Sequence, residues 1–431
     1  MRKIVFRAPS GPWFYLLLAV LVFAAASVCL MLFGPLTGDS ARYLRLAGNL
    51  ASGQGFSAAT EPPYYPEVFR APLYPLFLSI LLRFGLGILA IIILQVALYL
   101  SATIIAGKIA LVLTGNRMVA AVSSLMLAGY LPLVHWVAAI TTESLCTALF
   151  CLCCWLFLTF IKTPSWKRVV LLGLTLVALF LTRTTYIVVF PLVIGFSFLL
   201  FHKRKTIAYS AVLTLLICLP AGAWIFRNLA VIPGGSSPFG VGSGMALFVG
   251  SVEVQEPDIG KRNWIMDYPD FVVVHGGAEP ASIVAADQQL RREAMSIIRA
   301  RWADYLKRTA LLVAFRQWVE VYDPHLPGLV LWAVTGISSA MLILAYSGIL
   351  MTINRWRMTL PLVLLSFSVA TAHAIFANEA RYTAPVRPVL YVFSAIAICR
   401  VIEWAIQLKA TRSSQVVMER AASVAPQKDS V

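Results

Sequence analysis

Long apolar runs separated by short polar joints dominate the pattern of this chain. Runs of about 20 apolar residues have the length of a helix that crosses a bilayer. The pattern predicts ten spans, at residues 13–34, 86–113, 118–138, 144–161, 168–183, 185–201, 207–226, 328–351, 358–377 and 385–407. The first run follows a basic N-terminus, but it is long enough to span and no clear cleavage site follows it, so we predict an uncleaved helix.

The composition fits this interpretation and excludes a water-soluble domain. Hydrophobic residues make up 60% of the 431 residues and charged residues only 13%, with a mean hydropathy of +0.82. The protein is therefore expected to be an all-α polytopic membrane protein. Its net charge of +16 comes from basic clusters in the joints between spans, which set topology, so we expect no nucleic acid partner. The seven cysteines lie in or beside apolar runs and indicate neither a disulfide framework nor a metal cluster.

The basic joints predict the topology. Five of them fall on one side if the N-terminus is cytoplasmic, as the bias of Lys and Arg toward that side requires, and both termini are then cytoplasmic. The opposite side receives two long hydrophilic segments. The predicted organisation begins with a transmembrane module at residues 1–226, which contains the first outer loop at 35–85. An outer loop domain with an amphipathic helix follows at 227–327, then a C-terminal set of helices at 328–408 and a disordered tail at 409–431.

The second outer segment predicts a small α or α/β unit. Its glycine-rich start, PGGSSPFGVGSG, lacks the spacing of a phosphate loop and predicts a flexible connection. Apolar residues at helical spacing among arginines then predict an amphipathic helix over 285–319, either on the membrane surface or under the outer domain. The stretches MALFV and FVVV are weak strand candidates.

Carboxylates at a membrane boundary are costly and are functional candidates. Four stand out on the predicted outer side: Asp39, Glu143, Glu379 and the pair Glu320 and Asp323. For the first two the alternative is helix capping, although Thr37 or Ser40 could cap the first helix and Thr141 or Thr142 the second.

The helix that starts near Asp39 has two faces. Tyr43 shares a face with Asp39, and the other face carries Arg42, which is expected to meet a head group. The following stretch PPYYPEVFRAPLYP, with Arg70 in its middle, indicates a rigid loop beside a sugar-sized cleft. An interfacial aromatic belt is the alternative for its tyrosines. A lone His135 is expected to be a packing residue.

Arginines recur where spans end on the outer side. Each alone is more often a snorkelling anchor. Together they form an outward-facing set of fixed cations that suits a phosphate at the membrane surface, namely Arg70, Arg183, Arg227 and Arg381.

Several stretches together resemble a known family. These are GDSARYLRLAGNLASGQGFS, FRAPLYPLFLSIL, TTESL, PAGAWIFRNLAV, LFVGS and NEARYTAPVRPVLYVFSA. They are similar to the bacterial relatives of protein O-mannosyltransferases and of the lipid A aminoarabinose transferase, which are membrane glycosyltransferases of the GT-C fold. The resemblance implies about ten spans of GT-C architecture, a polyprenyl-phosphate-linked sugar donor, a lipid, glycan or protein acceptor on the periplasmic face of the bacterial inner membrane, and inversion at the anomeric carbon.

The resemblance also implies roles for individual residues. Asp39 aligns with the catalytic acid, which the physical reading makes a general base. Arg70 and Arg381 are expected to hold the donor phosphate, helped by Arg183 and Arg227, while a sugar or acceptor site is expected at Tyr43, Glu143, Glu379 and Tyr382. Many relatives have two adjacent acids, whereas here Ser40 follows Asp39, so no metal site is predicted and a divalent cation is not indicated.

Two other classes remain open. A flippase or permease would usually place polar residues and broken helices at mid-membrane, whereas here the acids and arginines gather on one side. An O-antigen ligase or polymerase would use a diphosphate-linked donor.

Overall fold

The computed structural model describes residues 11–200, 204–232, 238–255, 279–319, 328–377 and 379–424. Within these ranges every regular element is helical, as the apolar runs predict. The helices are α1 Pro12–Phe33, α2 Gly38–Ala51, α3 Leu73–Arg83, α4 Ile88–Thr114, α5 Arg117–Ala128, α6 Leu131–Ala138, α7 Glu143–Lys162, α8 Trp166–Thr182, α9 Val189–Leu200, α10 Arg204–Val231, α11 Ser243–Val252, α12 Pro280–Ala300, α13 Trp302–Leu311, α14 Gly328–Met351, α15 Trp356–Ile375 and α16 Arg387–Val424.

The described part contains seven helices that are long and apolar enough to cross a membrane. The pair α5 and α6 adds an eighth if it is one span, bent by 59°. Two further predicted spans correspond to shorter helices, since α8 has 17 residues and α9 has 12. The predicted number of about ten spans is therefore not confirmed, whereas the all-helical polytopic class is.

Short polar joints end the helices as their residues predict. Gly115 follows α4 with a φ of 73°, a left-handed conformation that favours glycine. Asn116 then caps α5, since its side chain accepts a hydrogen bond of 2.8 Å from the N–H of Met118. Ser165 caps α8 through the N–H of Arg168.

One large apolar core joins the spans. It contains α1, α4, α7, α8 and α16, whose buried faces are filled mainly by Leu, Val, Phe and Ala. Gly348 lets α14 lie directly against α16, because a Cβ at this position would be 1.9 Å from the carbonyl oxygen of Phe393. A smaller cluster that includes Tyr43, Tyr74 and Ile140 fixes α2 and α3 beside this core.

In the second segment predicted to lie outside, α11 and α12 pack together around their own apolar cluster, and we call them the outer unit after that prediction. The strand expected at MALFV is wrong, because Met245 to Val249 lie inside α11, where Met245 and Phe248 are buried at helical spacing against α12. The amphipathic helix expected over 285–319 is interrupted at Arg301, where α12 ends and α13 begins. The stretch FVVV, Glu320 and Asp323 lie outside the described residues.

Two boundaries differ from the predicted organisation. The helix α10 continues to Val231, beyond the predicted boundary at residue 226, so Arg227 lies within a helix. The helix α16 continues to Val424, whereas disorder was expected from residue 409. The domain division itself stays a prediction.

Polar residues lie at the two opposite ends of the helix bundle, where the helices begin and end. Five helix termini, the ends of α1, α8 and α15 and the starts of α7 and α16, meet at one end, which we call the site end. At the opposite end, two of the basic joints contact the end of α4. Lys162 and Arg355 donate hydrogen bonds to carbonyls in the last turn of this helix. The candidate acids and arginines are thus brought to one end by the alternating direction of the spans.

Candidate functional site

The start of α2 is capped by residues other than Asp39. The hydroxyl of Ser40 accepts a hydrogen bond of 2.8 Å from the N–H of Thr37 and donates one of 2.9 Å to the carbonyl of Ile140. Thr37 is the N-cap residue. The N-cap is therefore Thr37 and not Asp39, whose side chain contacts two arginines.

Two arginines from distant parts of the chain flank Asp39. Nη2 of Arg70 donates to Oδ1, and Nη1 of Arg381 lies 2.8 Å from Oδ2. All three side chains are largely buried, with between 13% and 18% exposed. Charges at this depth are screened less than surface charges, so the two cations attract the carboxylate strongly.

The backbone before Arg70 is held by a second ion pair. Arg42 forms a forked contact with Glu67, with Nε 3.1 Å from Oε2 and Nη2 2.9 Å from Oε1. The expectation that Arg42 meets a head group is wrong, because its side chain is only 4% exposed and lies under the loop. The inward position of Arg42 is favourable because it supplies the counter-charge for the buried carboxylate of Glu67.

Arg381 is fixed by the short segment between α15 and α16. Its Nε donates to Glu379, and the hydroxyl of Tyr382 donates to the same carboxylate at 3.0 Å. Its guanidinium lies 5.9 Å from the ring centre of Trp136. Burial lowers the pKa of Arg381, but the carboxylates of Glu379 and Asp39 outweigh it and hold the pKa well above its ordinary value. Arg381 is therefore a permanent cation.

Glu143 and Arg183 form a second buried pair beside the first. Nη2 of Arg183 lies 2.8 Å from Oε1 of Glu143, whose side chain is fully buried. The same nitrogen donates to Thr142 at 2.8 Å. The guanidinium of Arg183 lies 5.3 Å from the ring centre of Tyr382, which also faces Arg381 at 5.5 Å. Tyr382 thus joins the two ion pairs into one site.

The ring of Tyr43 packs against the guanidinium of Arg70. Its ring centre lies 5.2 Å from the guanidinium carbon of Arg70 and 5.0 Å from the ring of Tyr74, at right angles. Burial raises the pKa of the Tyr43 hydroxyl above its ordinary value, so it stays protonated at neutral pH.

Two donors at this site have no hydrogen-bond partner in the described residues. They are Nε of Arg70 and Nη1 of Arg183. Buried donors of this kind are uncommon and costly, and an anion is the partner that guanidinium groups bind best. The site therefore has cationic donors left over for a phosphate-sized ligand.

Arg227 lies in a different environment from the other three predicted cations. Its Nη1 donates to the carbonyl of Glu67 at 2.6 Å, and its guanidinium faces Trp224 at 5.0 Å and Phe56 at 5.8 Å. None of its recorded contacts reaches Asp39. Its phosphate role stays a prediction, as do the roles of the other site residues.

Sequence reasoning missed three residues of this site. Glu67 was quoted within its loop but not singled out, although an acid three residues before Arg70 is a signal. Trp136 was not singled out, and it faces Arg381. His373 stacks on Tyr382, with ring centres 4.7 Å apart, and its Nε2 is 3.5 Å from the hydroxyl of Thr185. No sequence pattern indicates this last contact.

The residues around Asp39 do not fit a metal ion. Across the described ranges, no three side chains of His, Cys, Asp or Glu lie close enough to hold one. At the position of a second acid, the hydroxyl of Ser40 is used by the helix cap and by Ile140. Both oxygens of Asp39 face guanidinium groups. We derive no step through a metal.

An open apolar groove begins beside the site. It has a volume of about 380 Å³ and runs between α9 and α15, lined by residues that include Leu192, Phe367 and Ile375. Its end at Ile375 is two residues from His373, which stacks on Tyr382. A long apolar chain attached to a ligand at the site could therefore leave along this groove.

Comparisons with known proteins connect this geometry to membrane glycosyltransferases. Residues 69–224 match the family model described as dolichyl-phosphate-mannose-protein mannosyltransferase. The oligosaccharyltransferase AglB from Archaeoglobus fulgidus, in complex with an inhibitory peptide and a dolichol-phosphate, is similar at 14% identity and a TM-score of 0.53, over 98% of this chain and 53% of that one. The apo form of the same enzyme is similar at 15% identity and a TM-score of 0.55, over 93% of this chain and 52% of that one.

A third structure is less similar. ArnT from Cupriavidus metallidurans bound to undecaprenyl phosphate gives 13% identity over 89% of this chain and 78% of that one, with a TM-score of 0.42, too low to carry an argument. No curated protein sequence matches the chain. The chain spans about half the length of the archaeal oligosaccharyltransferase. The likeness to that enzyme confirms the GT-C type of membrane fold that the motifs predicted.

Proposed function

We propose that this protein is an inverting glycosyltransferase that moves a sugar from a polyprenyl-phosphate donor to a hydroxyl of a lipid, glycan or protein. The observation that carries the proposal is the placement of Asp39 between Arg70 and Arg381 at the site end. One carboxylate and several guanidinium groups are the charges that this reaction needs. The match of residues 69–224 to a mannosyltransferase family model supports the same class.

In the proposed reaction the acceptor hydroxyl attacks the anomeric carbon on the face opposite the phosphate. The bond from the anomeric carbon to the acceptor oxygen forms as the bond to the phosphate oxygen breaks. The hydroxyl proton passes to Asp39, which acts as general base. The electron pair of the broken bond leaves with the phosphate, and Arg70, Arg381 and Arg183 stabilise the negative charge that develops there.

The surrounding side chains have supporting roles. Tyr382 lies against both Arg183 and Arg381 and, with Tyr43 and Glu143, would shape the space for the sugar. Water is a competing acceptor, so a site with side chains only 13% to 18% exposed favours transfer over hydrolysis.

The groove between α9 and α15 is the proposed binding site for the lipid chain of the donor. Its lining is almost entirely apolar, and its volume of about 380 Å³ lies in the usual range of about 300–1,000 Å³ for ligand pockets. We propose that the first isoprene units of the donor lie there, with the phosphate near Arg381. Since AglB was solved in complex with a dolichol-phosphate, a polyprenyl phosphate is the natural candidate.

We further propose that the site faces the periplasm of a bacterial inner membrane, with both termini in the cytoplasm. The basic joints at the end opposite the site support this orientation, because Lys and Arg accumulate on the cytoplasmic side.

The experiment is sugar transfer by the purified protein in liposomes from a panel of synthetic polyprenyl-phosphate sugars. Native membrane lipid and cell-envelope extract serve as acceptors, and the Asp39→Asn variant is compared with Asp304→Asn, which alters an exposed acid on α13. Transfer by the wild type and by Asp304→Asn, with a loss of about 100-fold or more in Asp39→Asn, is expected. An intact donor across the panel, with folded protein, would instead favour a lipid-linked sugar flippase or permease.

A further inference from the structure

Glu67 is a buried carboxylate that the proposed transfer reaction does not use. Its side chain is 0% exposed, and it lies three residues before Arg70. A buried charge is expensive unless it is paired and hydrogen-bonded. The contacts that satisfy this carboxylate are therefore expected to be important for the loop.

The carboxylate of Glu67 connects α2 to the backbone of Arg70. One partner is the fork of Arg42, with contacts of 2.9 Å to each oxygen from Nη2. Its Oε1 also accepts the backbone N–H groups of Phe69 at 2.6 Å and Arg70 at 3.1 Å. The side chain thus sets the direction in which residue 70 leaves the loop.

These contacts close a ring of four residues. Asp39 and Arg42 are one turn apart on α2, Arg42 binds Glu67, and Glu67 binds the amide of Arg70. The side chain of Arg70 then returns to Asp39. Two parallel ion pairs, one buried and one at the site, therefore hold the loop against the helix.

The outer unit closes the same segment from the other side. The N–H of Val241 donates to the carbonyl of Val68 at 2.8 Å. At Gly242, with a φ of 111°, a Cβ would lie 2.1 Å from the ring of Phe69. That ring faces Arg42 at 5.2 Å and Arg70 at 4.5 Å. Residues 68–70 are thus held on both sides.

We infer that Glu67 is a positioning residue that fixes Arg70 for binding the donor phosphate, which rests on the phosphate role proposed above for Arg70. Without the ionised carboxylate, Arg42 no longer clamps the side chain and the amides of Phe69 and Arg70 lose their charged acceptor, so the loop is free to move. A misplacement of about 1 Å at a charged ligand is enough to weaken a site greatly. Arg70 would then be present but wrongly aimed.

The test measures the Kd of the full-length protein in nanodiscs for a synthetic polyprenyl monophosphate. Glu67→Gln is expected to raise this Kd about tenfold, the lower end of the loss in affinity seen when residues that support metal ligands are replaced. The matched control is Glu61→Gln, an exposed acid of the same loop, which is expected to leave the Kd unchanged. An unchanged Kd in Glu67→Gln would overturn the inference.

A second variant separates positioning from stability. Glu67→Gln leaves Arg42 buried without its counter-charge, so it is expected to lower the midpoint of thermal unfolding. The double variant Arg42→Gln with Glu67→Gln removes both charges and is expected to recover the midpoint but not the Kd. Recovery of both would make Glu67 a purely structural residue and would contradict the inference.

A double-mutant cycle with Arg70→Ala decides whether Glu67 acts through Arg70. In that background, Glu67→Gln is expected to change the Kd by about twofold or less, because the side chain it positions is gone. A further loss of about tenfold would overturn the inference. If Arg70→Ala alone left the Kd unchanged, the phosphate role of Arg70 would itself be wrong. If Arg70→Ala raised the Kd while Glu67→Gln left it unchanged, only the inference about Glu67 would be refuted.

Discussion

Arg381 and Asp39 lie near opposite ends of the chain, and Nη1 of the arginine is 2.8 Å from Oδ2 of the aspartate. The contact joins the start of α2 to the segment before α16, so it depends on the whole bundle being assembled. A phosphate entering the site would compete with Asp39 for this guanidinium. We expect donor binding to free the carboxylate for its role as base.

Replacing Arg381 should weaken donor binding selectively. Arg381→Ala is expected to raise the KM for the polyprenyl-phosphate sugar by about tenfold or more, because a buried charge-assisted contact is lost. The acceptor KM should stay within about twofold. Arg381→Lys should recover only part of the loss, since an ammonium lacks the fork that also binds Glu379.

The check is steady-state transfer with each substrate varied in turn. Arg292→Ala, at an exposed position of α12, is the matched control. A raised acceptor KM with a normal donor KM would contradict the phosphate role of Arg381.

Filling the groove should affect long donors more than short ones. Leu192→Trp places a larger side chain in the groove between α9 and α15, so binding of a long polyprenyl phosphate should weaken about tenfold. A donor with a very short lipid should be affected little. Leu199→Trp is the control, because Leu199 lies on the same helix and is 70% exposed. Equal losses for short and long donors would argue against the groove as the lipid site.

Breaking the pair of Glu143 and Arg183 should destabilise the protein. Glu143→Gln leaves Arg183 without its buried counter-charge, which is expected to cost about 3 kcal/mol and to lower the midpoint of thermal unfolding in detergent. The double variant with Arg183→Gln should be less destabilised than the single one. If Glu143→Gln unfolds at the wild-type temperature, the pair does not stabilise the fold.

A methyl group at Gly250 should disturb the site from outside the membrane bundle. Its Cβ would lie 1.9 Å from the carbonyl oxygen of Phe376, which begins the segment that carries Arg381. Gly250→Ala should therefore cost about 1–3 kcal/mol in stability and raise the donor KM. Gly222→Ala is the control, since a Cβ there meets no atom within 4 Å. Normal stability of Gly250→Ala would show that α11 can shift without loss.

The sequence was most informative where local chemistry decides the structure. Apolar runs determine membrane helices, and the joint at Gly115 and Asn116 ends one helix and caps the next by its own residues. Predictions failed where neighbours decide. MALFV has a strand-like composition but forms a helix because Met245 and Phe248 pack on α12. The predicted number of about ten spans is not confirmed for a related reason, since bending and length of the helices depend on the packing between them.

The candidate site divides in the same way. Asp39, Arg70, Glu143, Arg183 and Arg381 could be named from the sequence, because charges at the ends of apolar runs are costly and so informative. Their pairing could not be named, since each contact joins segments far apart in the chain. The sequence alone determined a membrane bundle with its acids and arginines at one end. Only the tertiary structure decided that Arg42 turns inward to Glu67 while Arg70 and Arg381 share Asp39, because packing of α2 against the loop selects which arginine reaches which acid.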